Sequence, residues 1–203
     1  MQIRELSIPG SFEVTPLQRA DDRGVFMEWY RFDRLQEAVG HPLDLRQANT
    51  SVSKKGVVRG IHFADVPAGQ AKYVTLAHGA VLDYIVDIRV GSPTFGQWDS
   101  VLLDTVDRRA VYISEGLGHC FVALSDGATV SYLVSDVYNA AGEHGINPLD
   151  EEIDLVFPTE AGELLLSPKD TDAHSLRDAA ARGLLPKWDE TLAFYETLNK
   201  AGR

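Results

Sequence analysis

Between residues 45 and 138 the chain is built of short apolar and polar alternations broken by Gly, Pro, Asn and Asp, the period-two pattern of half-buried strands. The clearest run is 80–90, where Ala80, Leu82, Tyr84, Val86, Ile88 and Val90 fall on one face and Asp83, Asp87 and Arg89 on the other. The turn signal Gly91-Ser92-Pro93-Thr94-Phe95-Gly96 ends it. Further strands are predicted over 98–103, 109–113, 120–124 and 129–137. Helical spacing is confined to the flanks. Phe32, Leu35 and Val39 share one side of a short helix over 33–39 that stops at Gly40. Ser175 caps a segment through Ala181 that stops at Gly183 and Pro186, and Asp189 opens another with Leu192, Tyr195 and Leu198 at helical spacing. Residues 139–160, with Pro148 and Pro158, read as a long loop. The pattern predicts an all-β fold, a double antiparallel sheet of the jelly-roll kind, with short N-terminal and C-terminal helices. It is expected to form one domain over 1–203, with the C-terminal helices peripheral at about 175–200.

Composition narrows the class of partner. Nineteen Lys and Arg stand against 30 Asp and Glu, a formal charge of −11 that argues against nucleic acid and anionic membrane surfaces. Apolar residues at 44% and charged residues at 24% are ordinary for a packed chain and exclude extensive disorder. The opening MQIRELSIPG lacks an apolar signal core, and no run approaches the roughly 18 apolar residues of a membrane helix, so the expected location is the cytoplasm. Cys120 is alone, which excludes an internal disulfide and a cysteine-based metal cluster.

The densest polar stretch runs from Arg46 to His62. In a strand, Gln47, Asn49 and Ser51 share a face, and their amide and hydroxyl groups suit a sugar or base edge; a solvated strand face is the alternative. Arg59 and His62 fall on opposite faces unless Gly60 permits a bulge. For His62, between Ile61 and Phe63, and for His119, after Gly116-Leu117-Gly118, a structural role is the plain alternative to a chemical one. No H-x-H pair occurs, and the histidines at 41, 62, 78, 119, 144 and 174 do not read as a metal-ligand set, so neither metal nor cofactor is expected. Lys72 opens a strand where surface snorkelling is the alternative. Tyr132 and Tyr138 sit six apart on one face of a strand over 130–138, as a stacking surface with a phenolic acid or as core packing. Asp170, after Ser167-Pro168-Lys169, reads as the cap of a turn.

In combination these motifs resemble the dTDP-4-dehydro-6-deoxyglucose epimerase family, best known from the dTDP-4-dehydrorhamnose 3,5-epimerases. The resemblance runs from Asp21-Asp22-Arg23-Gly24-Val25-Phe26-Met27-Glu28 through Gln47-Ala48-Asn49 and Gly56-Val57-Val58-Arg59-Gly60-Ile61-His62. It continues through Ala71-Lys72, the segment from Asp87 to Gly96, Gly116 to Phe121 and Ser131-Tyr132 to Tyr138, and closes on Ser167-Pro168-Lys169-Asp170. The resemblance implies a metal-free cupin-type jelly roll that forms a homodimer and inverts carbons 3 and 5, or one of them, of a dTDP-4-keto-6-deoxyhexose without a cofactor. It implies His62 as base, Asp170 as its orienting partner, Tyr132 as acid on the opposite face of the sugar, and Lys72 facing the keto oxygen. Arg23, Phe26, Glu28, Gln47, Asn49, Arg59, His119, Glu143 and Lys169 match nucleotide-sugar positions, and Tyr138 matches the ring that stacks on thymine. The segment of Arg23 and Glu28 would complete the neighbouring subunit's site, and Arg23, Arg59 and Lys169 would gather positive potential in an acidic chain. The family includes single-site epimerases of antibiotic deoxysugar pathways; a non-catalytic sugar-nucleotide-binding cupin and a metal-dependent cupin are the readings from other classes.

Overall fold

A computed structural model describes residues 1–201. The chain opens with β1 (Gln2–Glu5), β2 (Ser11–Thr15), β3 (Arg19–Asp21) and β4 (Gly24–Phe26), then α1 (Phe32–Val39). Eight strands follow: β5 (Gln47–Ser53), β6 (Val58–Ala64), β7 (Lys72–His78), β8 (Ala80–Val86), β9 (Trp98–Asp104), β10 (Ala110–Ile113), β11 (Gly118–Ala123) and β12 (Ala128–Val134). A short β13 (Glu143–Gly145) precedes α2 (Pro168–Thr171), α3 (Leu176–Ala181) and α4 (Trp188–Ala201). Two antiparallel sheets, β1-β2-β10-β7-β12-β5 and β13-β6-β11-β8-β9, face each other, and β3–β4 form a separate hairpin. This is the double antiparallel sheet that the alternation predicts.

Three apolar clusters explain the layering. Val74, Leu76, Val111, Ile113 and Val130 from one sheet meet Val81, Ile85, Val101, Leu103 and Phe121 from the other, forming the core between sheets. Val58, Ile61, Phe63, Tyr84, Val86, Cys120 and Val122 turn outward and are covered by Ile146, Ile153, Leu155, Leu176, Ala179 and Leu185. On the other side, Val14, Ala71, Tyr73, Ala110 and Tyr112 are covered by Leu35 and Leu43. The central strands of both sheets are therefore buried on both faces, while the edge strand β5 keeps an exposed outer face, with Val52 65% exposed. Local signals set the helix ends: Ser175 accepts from the Asp178 N–H at the start of α3, and Gly40, at φ 98°, ends α1 in the left-handed region.

Several expectations differ from the structure. The strand predicted over 80–90 ends at Val86, and the charged residues placed on its second face are interior: Asp83, Asp87 and Arg89 are all fully buried. Asp87 and Arg89 lie beyond the strand, in a turn where the guanidinium bonds the carboxylate through Nε at 2.8 Å and Nη2 at 2.7 Å. The strand predicted over 129–137 ends at Val134, which leaves Tyr138 off the sheet and off the face of Tyr132. Within the loop predicted over 139–160, Glu143–Gly145 pair with β6. Strands β1–β4 were not foreseen because their alternation is too short to register against the turns between them.

The Gly60 bulge is present. His119 pairs with His62 but Phe121 with Arg59, so β6 carries one more residue than β11 across this span, and Arg59 and His62 reach the same interior face. Gly60 has φ 135°, and a Cβ there would lie 2.5 Å from the His119 carbonyl oxygen.

Glu115, just past β10, is another buried charge site at 3% exposure. Burial pushes its carboxyl up to about 7 from 4.5, so the folded chain holds a proton that the unfolded chain releases. This group therefore costs stability as pH rises from about 4.5 to about 7, by about 3 kcal/mol in total. The Glu115→Gln variant is expected to gain stability relative to wild type between about pH 5 and pH 8 in urea unfolding; a difference that does not change with pH would contradict this.

Candidate functional site

The inward positions at one end of the inter-sheet space are polar where the rest are apolar. His62, on the inward side of β6, holds Nε2 2.7 Å from Asp170 Oδ1. Asp170 sits in the first turn of α2, where Ser167 caps the helix and donates its hydroxyl to Asp170 Oδ2 at 2.7 Å. Burial works to raise the Asp170 carboxyl, but the bonds from His62 and Ser167 outweigh it and hold the group below the usual carboxylate range. Asp170 is nearly buried while the His62 side chain is 35% exposed, so the imidazole presents its remaining edge to the cavity.

Directly across the β6–β11 ladder, His119 forms a second pair, with Nε2 2.8 Å from Asp83 Oδ2. Lys72, the first residue of β7, stands beside this pair. Burial lowers its ammonium's pKa, and the charges of Glu143 and Asp83 oppose that shift. Tyr132 lies inward on β12, packed against the inter-sheet core and directly opposite Asn49 on β5. Burial and the Glu143 charge raise its phenol, with Arg59 opposing. At neutral pH Tyr132 is therefore a protonated phenol, a donor and not a base.

Strand β5 completes the wall. Gln47 donates from Nε2 to Asn49 Oδ1 at 2.7 Å, and Gln47 Oε1 accepts the backbone N–H of Tyr138 at 3.1 Å. Arg59 Nε donates to Ser53 Oγ at 3.1 Å, joining the two sheets. The sequence-predicted His62, Lys72, Tyr132, Asp170, Gln47, Asn49, Arg59, His119 and Glu143 thus come from seven elements to one end of the sandwich. Lys169 is exposed on α2, and Tyr138 is 59% exposed on the loop after β12.

Arg23, Phe26 and Glu28 are not brought to this cluster within one chain. Arg23 is ion-paired with Asp21 on the β3–β4 hairpin, Phe26 is 66% exposed, and Glu28 pairs with Arg31. The expected gathering of Arg23, Arg59 and Lys169 in one cleft is therefore not made by a single chain. Among the described residues, no group of three or more His, Cys, Asp or Glu is arranged to hold a metal ion. Cys120 is fully buried, and burial pushes its thiol well up, so it is unreactive.

Sequence reasoning missed Asp83, Ser53 and Ser167 as partners of site residues. The one signal for Asp83 is an acid between Leu82 and Tyr84 in a run that is otherwise apolar from Ala80 to Val86, since a carboxylate buried there demands a partner.

The chain resembles proteins of known function along most of its length. Residues 5–178 match the family model described as dTDP-4-dehydrorhamnose 3,5-epimerase. A dTDP-4-dehydrorhamnose 3-epimerase of Streptomyces niveus is 59% identical over 93% of this chain and 90% of its own. A dTDP-4-dehydrorhamnose 3,5-epimerase of Mycolicibacterium smegmatis is 56% identical over 98% of both chains. The solved structure of the Mycobacterium tuberculosis rmlC epimerase superposes with a TM-score of 0.95 at 49% identity, over 98% of this chain and all of its own.

Proposed function

The chain belongs to the dTDP-4-dehydrorhamnose 3,5-epimerase family, and from that premise we propose that it inverts carbons 3 and 5 of dTDP-4-keto-6-deoxyglucose as a cofactor-independent isomerase of deoxysugar nucleotide biosynthesis. One observation carries this reading: the His62–Asp170 pair opens onto the same interior as Lys72 and Tyr132.

The ketone at carbon 4 acidifies the hydrogens at carbons 3 and 5. The ionised Asp170 accepts from His62 Nε2–H, which leaves Nδ1 as the lone-pair nitrogen that takes the proton. As the carbon–hydrogen bond breaks, its electron pair moves toward the carbonyl oxygen. The Lys72 ammonium meets that charge in a partly buried setting where its field is little screened. Tyr132, kept protonated, gives its proton to the opposite face as the enolate electron pair returns to carbon; once His62 has released its proton to solvent and the phenolate has taken one back from solvent, repetition at the second carbon completes the reaction. Gln47, Asn49, Arg59, His119, Glu143, Tyr138 and Lys169 bind the nucleotide sugar. Arg23, Phe26 and Glu28 reach the site of the other subunit in a homodimer. Support for that arrangement comes from the hairpin itself, which leaves Val25 and Phe26 49% and 66% exposed in a single chain. The jelly roll acts as one domain, and a diphosphate-linked sugar places its work in the cytoplasm. No helix among the described residues is long and apolar enough to cross a membrane.

A second reading, inversion at carbon 3 alone, is favoured by the 59% identity to the Streptomyces niveus 3-epimerase. Proton NMR of the product separates the two. Inversion at both carbons supports the first reading, inversion at carbon 3 alone replaces it with the second, and unchanged substrate overturns both. In Tyr132→Phe, proton loss from substrate is expected to continue while inversion falls by about 100-fold or more. Full inversion in that variant would move the acid to another residue.

A further inference from the structure

Beneath Lys72, on the far side of its sheet, lies a buried carboxyl that the steps above do not use. Glu115 shares one wall of a cavity of about 420 Å3 with Ala71, Tyr112 and Ser135. Ala71 and Tyr112 belong to the outer apolar cluster, so this cavity and the polar interior lie on opposite faces of the sheet that carries Lys72. The Ser135 hydroxyl donates to Glu115 Oε1 at 3.3 Å and accepts the Ala71 N–H at 2.8 Å. The Ser135 N–H returns a bond to the Ala71 carbonyl at 3.1 Å. Ala71 is the residue before Lys72, Ser135 is the residue after Val134, and Val134 and Lys72 are register partners in the β7–β12 ladder. Three hydrogen bonds therefore fasten the point where β7 begins and β12 ends, one residue from the amine.

Glu115 is itself held. Its carbonyl accepts the Tyr195 hydroxyl of α4 at 2.5 Å, and Gly69 packs so closely that a Cβ there would lie 2.6 Å from the Glu115 Cβ and Cγ. A lysine has four side-chain torsions, so an ammonium meant to meet one oxygen depends on a fixed root. We propose that Glu115 is a positioning residue for Lys72, acting through the Ser135 hydroxyl to fix the Ala71–Lys72 peptide and so the direction in which the amine leaves the strand. This rests on the role given to Lys72 above.

The test compares Glu115→Leu, Ser135→Ala and Glu115→Gln in the full chain. The first two remove the relay, and the third keeps an acceptor for Ser135. Glu115→Leu and Ser135→Ala are expected to lower kcat by about 10-fold with KM little changed, because misplacement of a reacting group acts on the transition state. Glu115→Gln is expected to keep kcat within about 3-fold of wild type. NMR of 15N-labelled lysine side chains, assigned with Lys72→Met, gives a readout that a purely structural buttress would not move. The Lys72 amine signal should shift in Glu115→Leu and Ser135→Ala and stay in place in Glu115→Gln. A folded Glu115→Leu or Ser135→Ala with unchanged kcat and an unchanged Lys72 signal overturns the proposal; should Glu115→Leu fail to fold, Ser135→Ala alone decides. Wild-type kcat in Lys72→Met would instead overturn the role given to Lys72, while the amine signal still answers whether Glu115 positions it.

Discussion

Alanine at His62 is expected to lower turnover of the keto-sugar by about 1,000-fold or more and to stop solvent exchange at both carbons, with dTDP affinity nearly intact. The size follows from the geometry. His62 supplies the imidazole edge of the 2.7 Å pair with Asp170, whose carboxyl is held below the usual carboxylate range and orients the ring. His119 is committed to Asp83 on the neighbouring strand and is assigned to binding. In the proposed reading the nucleotide is held by Gln47, Arg59 and their neighbours, which the substitution leaves in place. Stopped-flow turnover and dTDP titration of the variant check both halves. Exchange at the wild-type rate would remove His62 from the role of base.

The largest expected effect on stability lies away from the chemistry, at Asp87 and Arg89. Both side chains are fully buried, with two charge-assisted bonds between them. Ser92 and Thr94 each donate a hydroxyl to Asp87 Oδ2 at 2.6 Å, and Arg89 stacks 4.5 Å from the centre of the Trp188 ring. Burial works to raise the Asp87 carboxyl, and the guanidinium and hydroxyls hold it below the usual range. In Asp87→Ala the Arg89 guanidinium would remain desolvated without a counter-charge. Loss of one partner of such a pair costs about 3–5 kcal/mol. Urea unfolding should show that loss, and Asp87→Ala combined with Arg89→Met should recover part of it, because the stranded charge is then gone. A loss below about 1 kcal/mol in the single variant would contradict the account.

What could be read from the sequence was what local chemistry determines. Ser175 and Gly40 mark helix ends because capping and left-handed turns depend on neighbouring residues alone. Alternation found the central strands but not which of their faces was wet, because that depends on what later covers the sheet. The other sheet packs over the face of β8 that carries Val81, Asp83 and Ile85, so Asp83 is interior and becomes a partner of His119, while the segment from Ile146 to Leu185 covers the opposite face of Tyr84 and Val86. The His62–Asp170 pair spans 108 positions and depends on α2 docking against β6, which no periodicity reports. Residue types and their order carried the family resemblance that named both members. The same resemblance set Arg23, Phe26 and Glu28 beside the site. One chain does not bring them there, and the proposed homodimer is what would.

The central claim is proton abstraction next to the keto group by the constellation of His62, Asp170, Lys72 and Tyr132. Its most direct test is incubation of the wild-type protein with dTDP-4-keto-6-deoxyglucose in deuterium oxide, followed by proton NMR. The account predicts enzyme-dependent loss of the proton signals at carbons 3 and 5 as deuterium enters both; persistence of both signals at full intensity would contradict it.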